Sequence, residues 1–310
     1  MHMLLYYDTE VIPKVRLIGR IKYATPWIHF PRMIDEYILY VIREGEMFLE
    51  ENGVRYHLKA GNAIILEPNR PHEGYQKAPC DYYYVHFKHP GFIHVPESEE
   101  KDAMTRLVEK RRDSLASYNL DENDVTDSIT YLPKLFSLPN QGYRVAFNRA
   151  IDIYNQREEH YKRVASAEMH RFFLDVAHEN LLMYISHHNS AHVRKSEIVA
   201  EELLRYLLSN YTEQISSELI EERFEMNFDY LNRIFTSITG STIFAYLNAV
   251  RINHAKELIA TTSLRFNEVA YLVGINNQFY FSKIFRKYTG ITPSEYFEHV
   301  NNKNRTLMRQ

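Results

Sequence analysis

The strongest constraint on the fold is a pattern near the C-terminus that occurs twice. The chain reads Phe266-Asn267-Glu268-Val269-Ala270-Tyr271-Leu272-Val273-Gly274-Ile275, then Phe281, Phe285 and Gly290-Ile291-Thr292-Pro293. Apolar residues at helical spacing, a glycine, and a second apolar stretch stopped by glycine and proline spell helix, tight turn, helix. A weaker copy lies upstream in Leu219, Phe224, Leu231, Phe235 and Gly240. Leu231 and Phe235, like Phe281 and Phe285, are four apart and belong to a buried stripe. Ser216 and Asn227 are suited to cap the helices of the first pair, and Asn267 the first helix of the second. Between the pairs, Thr242 to Ala260 reads as one long helix that joins them rigidly. Gly290 stops the last recognition helix, and Pro293 opens a closing helix through Tyr296. Two such units in one run predict an all-α domain that reads double-stranded DNA.

A formal net charge of −3 looks wrong for such a chain, but its distribution does not. From Glu197 to Glu225, eight acidic side chains oppose Arg205 and Arg223. From Met226 to Gln310, ten basic side chains (Arg233, Arg251, Lys256, Arg265, Lys283, Arg286, Lys287, Lys303, Arg305, Arg309) oppose five acidic ones. The positive charge sits with the reading helices and the tail, where phosphates are met.

The remainder has a different period. Residues 11 to 96 hold short apolar runs, among them Tyr37–Ile42, Met47–Leu49, Val54–Leu58, Ala63–Leu66 and Tyr82–Phe87. Glu44-Gly45 and Asn52-Gly53 are turn signals, and Gly61, Pro68, Pro71 and Pro79 punctuate the rest. Many short strands at that spacing predict a sandwich or barrel. After Pro96 helical spacing takes over. Asn119 to Asn140 reads as loop, Tyr143 to Arg157 and Val164 to Ile185 as helices, and His187 to Arg194 as a polar linker. The fold class expected is two-domain α+β.

One cysteine, Cys80, excludes an intramolecular disulfide and any Cys-based zinc cluster. Met1 to Glu10 lacks the pattern of a signal peptide, and the apolar runs are far too short to span a bilayer. A cytoplasmic, nucleoid-associated protein is expected, with no membrane partner.

The C-terminal hundred residues, Val199 to Val300, resemble the AraC/XylS family of bacterial transcription regulators. The resemblance rests on Arg251-Ile252, Ala255, Leu258, Val269-Ala270, Gly274, Phe281, Phe285, Gly290, Thr292 and Pro293, with Leu231-Asn232-Arg233-Ile234-Phe235 and Thr239-Gly240 in the first unit. It implies base contacts from the outward residues at the start of each recognition helix. Those are Phe228, Asp229, Asn232 and Arg233 in the first, and Asn277, Gln278, Tyr280 and Lys283 in the second. Arg or Lys suits guanine, Asn or Gln adenine, a carboxylate cytosine, and an aromatic edge a thymine methyl. Arg286 and Lys287 are expected on phosphates. Basic residues that often follow the first recognition helix in the family are replaced here by Thr236-Ser237-Ile238, and the Phe that usually follows the turn glycine is Ile275.

Residues 1–100 look like the cupin-type effector barrel common in that family, with Gly61 to His72 matching its central hairpin and turn. The chain is then expected to divide into this barrel, a helical region at 101–187 whose wide apolar stripe over Val164–Ile185 serves dimerisation or else packs on the barrel, a linker at 188–195, the double helix-turn-helix at 196–300 and a tail at 301–310. A metal-dependent cupin needs paired His and a Glu on one strand and a later His. Tyr37 to Glu44 contains no His, so His72 is left alone and no metal, cofactor or catalytic residue is expected. By resemblance Tyr82 and Tyr84 occupy sugar-contacting positions. Tyr82, Tyr84 and His86 alternate with Asp81, Tyr83, Val85 and Phe87, and one of the two faces lines the barrel. Trp27, His29 and Arg32 join from an earlier segment, with His72 beside them. The implied function is ligand-responsive, sequence-specific transcription regulation, most simply of carbohydrate uptake or metabolism genes. Its partners would be DNA, a sugar effector, a second copy of the chain and, for an activator, RNA polymerase. The alternatives are a cupin-type metal enzyme with a DNA-binding tail, and a DNA binder whose barrel only dimerises.

Overall fold

The computed structural model describes residues 3–116, 128–138, 141–188 and 191–307. The chain divides into two compact units, Met1–Leu107 with Val125–Tyr184, and Val108–Asp124 with Ile185–Gln310.

The first unit opens with eight strands: β1 (Leu4–Asp8), β2 (Lys14–Trp27), β3 (Tyr37–Glu51), β4 (Val54–Lys59), β5 (Asn62–Leu66), β6 (His72–Gln76), β7 (Ala78–Lys88) and β8 (Phe92–His94). Helix α1 (Glu97–Ala116) follows, its residues from Val108 onward belonging to the second unit. Then come β9 (Ile129–Pro133), β10 (Leu135–Ser137), α2 (Gly142–Gln156) and α3 (Tyr161–His188). The larger sheet has the order β10-β5-β3-β7-β2, with β4 and β6 pairing to the far half of β3. A smaller sheet has the order β8-β1-β9. The sheet does not close into a barrel, because its path ends at β10 and β2. The layout is nonetheless compatible with a cupin-like domain, followed by helices as expected.

One strand does more than its sequence announced. Glu44-Gly45 was expected to turn the chain, yet β3 runs through it. The register against β7 slips between Ile42 and Glu44, a bulge, and Gly45 sits at φ +76°. A Cβ there would lie 2.1 Å from the Pro79 carbonyl oxygen, so only glycine lets the strands approach. The first half of β3 pairs with β5 and β7, the second with β4 and β6.

The opposite faces of β7 pack into separate cores. Tyr83, Val85 and Phe87 pack with Phe147 of α2 and Phe172 and Phe173 of α3. Cys80 and Tyr82 point the other way, onto Ile38, Tyr40, Ile42, Leu49 and Leu58, with Tyr84 packed alongside. The face carrying Tyr82 and Tyr84 is therefore turned away from α2 and α3, towards the core formed among the strands.

Three boundaries are corrected. The stretch 119–140, expected as loop, contains β9 and β10, which pair with β1 and β5. Residues 119–127 and 139–140 of it lie outside the described residues. Lys134, between these strands, is 1% exposed and bridges Glu51 and Glu67. An alternating apolar run of only five residues carries little signal by itself, and the pairing is made with distant strands. The region 101–187 is thus not wholly helical. The expected linker 188–195 is mostly helix, since α3 ends at His188 and α4 (Ala191–Ser209) follows almost at once.

The second unit continues with α5 (Ser217–Phe224), α6 (Phe228–Thr239), α7 (Ile243–Thr261), α8 (Phe266–Leu272), α9 (Gln278–Thr289) and α10 (Pro293–Leu307), which runs into the expected tail. Ser216, Asn227, Thr242 and Asn277 cap their helices through side-chain oxygens. For α8 the expected cap Asn267 lies inside the helix. Arg265 precedes it instead, and its N–H donates to Glu268 at 2.7 Å. One core gathers Leu203, Leu207, Leu231, Phe235, Tyr246 and Leu247 around α4–α7, and a second gathers Ile259, Val269, Phe281 and Phe285 around α7–α9.

Candidate DNA interface and effector site

Residues 227–240 and 277–290 repeat at an offset of fifty. Asn227 and Asn277 cap the recognition helices α6 and α9. Leu231 and Phe235 in one, Phe281 and Phe285 in the other, are fully buried. Gly240 and Gly290 stop them at φ +74° and +81°. The correspondence extends to single hydrogen bonds. The Thr239 hydroxyl donates to Phe235 O and lies 3.1 Å from Ser241 O, as Thr289 does with Phe285 O and Ile291 O.

The expected DNA-facing residues separate into two groups. Asp229, Arg233, Gln278, Tyr280, Lys283, Arg286 and Lys287 are exposed. Arg233 stacks its guanidinium 5.4 Å from the Tyr230 ring. It also lines a cleft of about 430 Å³ with Arg111, Arg112, Glu197 and Glu201, all of the second unit. The other group is turned to structural use. Phe228 is half-buried and stacks on Phe244 with centroids 5.3 Å apart. The Asn232 amide oxygen accepts from Ile243 N–H at 2.9 Å, holding the entry of α7. The Asn277 oxygen accepts from Tyr280 N–H at 3.0 Å. Outward position on a helical wheel did not foresee these partners, because the turn after α6 folds back over Asn232. Conversely, Phe279 went unnoticed, although it is 90% exposed on the first turn of α9. Its signal was available: it stands two positions before the buried Phe281, on the far side of the helix.

In the first unit the expected effector residues form one connected cluster. Tyr23 and Trp27 stack at 4.4 Å and 10°, and Tyr82 lies next at 6.1 Å from Trp27. Tyr40 meets Tyr82 edge-on at 5.5 Å. Tyr84 and then His86 continue the row at 6.5 and 6.0 Å. A polar network closes one end. Arg32 donates to the Tyr40 hydroxyl and, through Nε, to His72 Nε2 at 3.2 Å. The Tyr40 hydroxyl donates to His29 Nε2 at 3.0 Å. His29 Nδ1 and His72 Nδ1 then donate to the carbonyls of Phe30 and Arg70. This scheme satisfies both rings only as neutral imidazoles. Burial, helped by Arg32 and His72, pushes His29 down to about 3. Burial, with Arg32, also lowers His72, so the histidine expected to stand alone belongs to a pair with rings 5.4 Å apart. At the other end His86 is buried beside Glu36, which takes two bonds from Arg16 Nε at 2.6 and 2.8 Å. Burial, then Arg32 and Arg16, pushes His86 down to about 4 against the pull of Glu36. Burial raises the Tyr40 phenol to about 12. Tyr23 and Tyr40 were missed. Tyr40 pairs directly with Tyr84 across β3 and β7, a register that the sequence does not state. Arg32 and His72 also border an open cleft of about 390 Å³ with Glu50, Asn52, Pro71 and Glu73. Among the described residues, no three His, Cys, Asp or Glu side chains are grouped to hold a metal.

Comparison with known proteins agrees with this architecture. Residues 16–122 match the AraC-like ligand binding domain, and residues 220–299 match a helix-turn-helix domain. The uncharacterized HTH-type transcriptional regulator YisR of Bacillus subtilis is 23% identical over 278 residues, covering 89% of this chain and 90% of that protein. The lactose operon transcription activator of Staphylococcus xylosus is 22% identical over 272 residues, 86% of each. The melibiose operon regulatory protein of Escherichia coli is 26% identical over 120 residues, 39% of this chain and 40% of that one. With a ligand-binding sheet domain ahead of two helix-turn-helix units, the chain belongs to the AraC family of DNA-binding transcriptional regulators.

Proposed function

We propose that the chain is a sugar-responsive regulator of carbohydrate uptake or metabolism genes, acting in the cytoplasm by binding rather than by catalysis. The observation that carries the effector class is the row Tyr23, Trp27, Tyr82 and Tyr40, closed by His29, Arg32 and His72. Flat aromatic faces suit the C–H face of a sugar ring, while a guanidinium and neutral imidazoles suit its hydroxyls. Two relatives are regulators of the melibiose and lactose operons, which supports the same class. Tyr82 and Tyr84 take the ring, and Trp27, His29, Arg32, His72 and His86 orient it. Asp229 and Arg233 of α6 and Gln278, Tyr280 and Lys283 of α9 read bases, with Arg286 and Lys287 on phosphates. A second copy joins through the α2–α3 region, and RNA polymerase is the further partner if the protein activates.

Calorimetry of the full chain against a panel of mono- and disaccharides tests the effector. One member should bind, and Tyr82→Phe and Tyr84→Phe, which keep the ring and remove the hydroxyl, should weaken it while operator binding persists. The double change to Ala removes one buried ring and one half-buried ring. For the buried one, about 3–5 kcal/mol is at risk, so the Phe variants are the deciding ones. If no saccharide binds, or both Phe variants bind like the parent, the sugar assignment fails.

A further inference from the structure

Phe279 is 90% exposed in a fold that does not need it. The internal repeat makes the point. Its counterpart fifty residues earlier is Asp229, also exposed, on a helix with the same cap, the same core positions and the same stop. An aromatic ring at this position therefore has no packing duty. A large apolar side chain left in water forgoes the stabilisation that burial brings, so a partner that covers it gains that contact.

The helix geometry says which partner. The buried stripe of α9 is Phe281, Ile284 and Phe285. Phe279 stands about 200° around the helix from Phe281, in one row with Lys283 and Arg286 at i+4 and i+7. Both are exposed and basic, and Lys287 flanks them. An apolar protein surface covering this row would have to desolvate the cations without compensation, whereas a polyanion meets them. The major groove offers one apolar feature on its base edges, the C5 methyl of thymine.

We propose that Phe279 is a specificity-determining residue of the second recognition helix, packing against a thymine methyl in the major groove while Lys283 and Arg286 engage the surrounding edges and phosphates. This rests on the DNA-reading assignment above. It also makes the two half-sites unlike: Asp229 favours a cytosine amino group where Phe279 favours thymine.

The test uses the full chain and the tightest duplex it selects from a randomised library. Each thymine is replaced in turn by deoxyuridine, which removes only the methyl. Wild type should lose about fourfold in affinity at one or two adjacent positions, the change expected for one buried methyl group. Phe279→Ser should bind the parent duplex about as weakly as wild type binds the uracil duplex, and should be insensitive to the replacement. Its thermal unfolding should match wild type, since the ring is exposed. Tight binding of a selected duplex with no uracil-sensitive position, or with sensitivity that persists in Phe279→Ser, overturns the proposal and leaves DNA reading intact. Failure to select any duplex overturns both.

Discussion

Asparagine illustrates how little of a recognition helix is free for recognition. Asn227 and Asn277 cap, Asn232 holds the start of α7, and the side chains left for DNA are those without such duties. On the proposed assignment, Lys283 reads a base and Arg286 holds a phosphate, and their substitutions should differ accordingly. Lys283→Ala is expected to flatten base preference at one step by about 1–3 kcal/mol. Arg286→Ala should weaken all duplexes alike and lower the salt slope by about one. Filter binding across operator variants at several salt concentrations checks both, and equal effects on every variant from Lys283→Ala would remove its reading role. Histidine sets the behaviour of the other unit. His29 and His86 are held near 3 and 4 in the folded state, first by burial, with Arg32, His72 and Arg16 adding to it and Glu36 opposing at His86. Unfolded, they titrate near 6.5. The unfolded chain thus binds more protons, and stability falls as pH drops from about 6.5 towards 4. Trp27, the single tryptophan, reports this unit. Urea midpoints followed by its fluorescence should decline between about pH 7 and 4.5, and the decline should shrink in His29→Gln/His86→Gln. A flat profile would contradict the neutral-histidine network.

At the scale of elements, the helices follow from neighbours in sequence. The stripes and stops of α6 and α9 and the caps of α5 and α6 involve residues within one or two turns and are legible without the fold, whereas the caps of α8 and α9 were not foreseen. The strands are different. β9 and β10 were invisible because their partners, β1 and β5, lie some seventy to a hundred and thirty residues away. What holds them is equally distant: Lys134, 1% exposed, between Glu51 and Glu67. Glu51 also accepts from Glu67 N–H at 2.7 Å, so the ion cluster ties β3, β5 and the β9–β10 junction into one structure. Lys134→Ala leaves Glu51 buried without its counter-charge, while Glu67 keeps Arg70 at 2.9 Å. A loss of about 3–5 kcal/mol in the urea unfolding of this unit is expected. A change within experimental error would mean that strand pairing alone anchors the segment.

For the molecule as a DNA reader, spacing between the two helix-turn-helix units matters more than either unit. Arg251 of α7 donates to the carbonyls of Tyr211 and Glu213 at 2.7 and 2.6 Å, and Gln214 donates to Gly274 O at 3.1 Å. Gly274, at φ +78°, packs so closely that a Cβ would lie 2.7 Å from the oxygens of Tyr211 and Thr212. The loop 211–214 thus touches both the linking helix and the second turn, and the Tyr288 hydroxyl donates to Ala245 O from α9 to α7. Two units held in this way should enter successive major-groove faces about 34 Å apart. Hydroxyl-radical footprinting should show two protected patches per subunit at that separation. A single patch would contradict a rigid pair.

The sequence by itself determined the tandem helix-turn-helix domain, its cores, the caps Ser216 and Asn227 and the strand-rich character of the first hundred residues. These depend on period, caps and turn residues, which are local. Only the tertiary structure decided that β3 runs through Gly45 instead of turning and that Tyr82 packs onto Tyr40 among the strands while Tyr83 packs against α2 and α3. It alone joined Tyr23 and Tyr40 to Trp27, withdrew Asn232 from the surface and left Phe279 on it. Each of these depends on pairing between residues far apart in the chain, where the gain from burial and register is set by a partner that no local window contains.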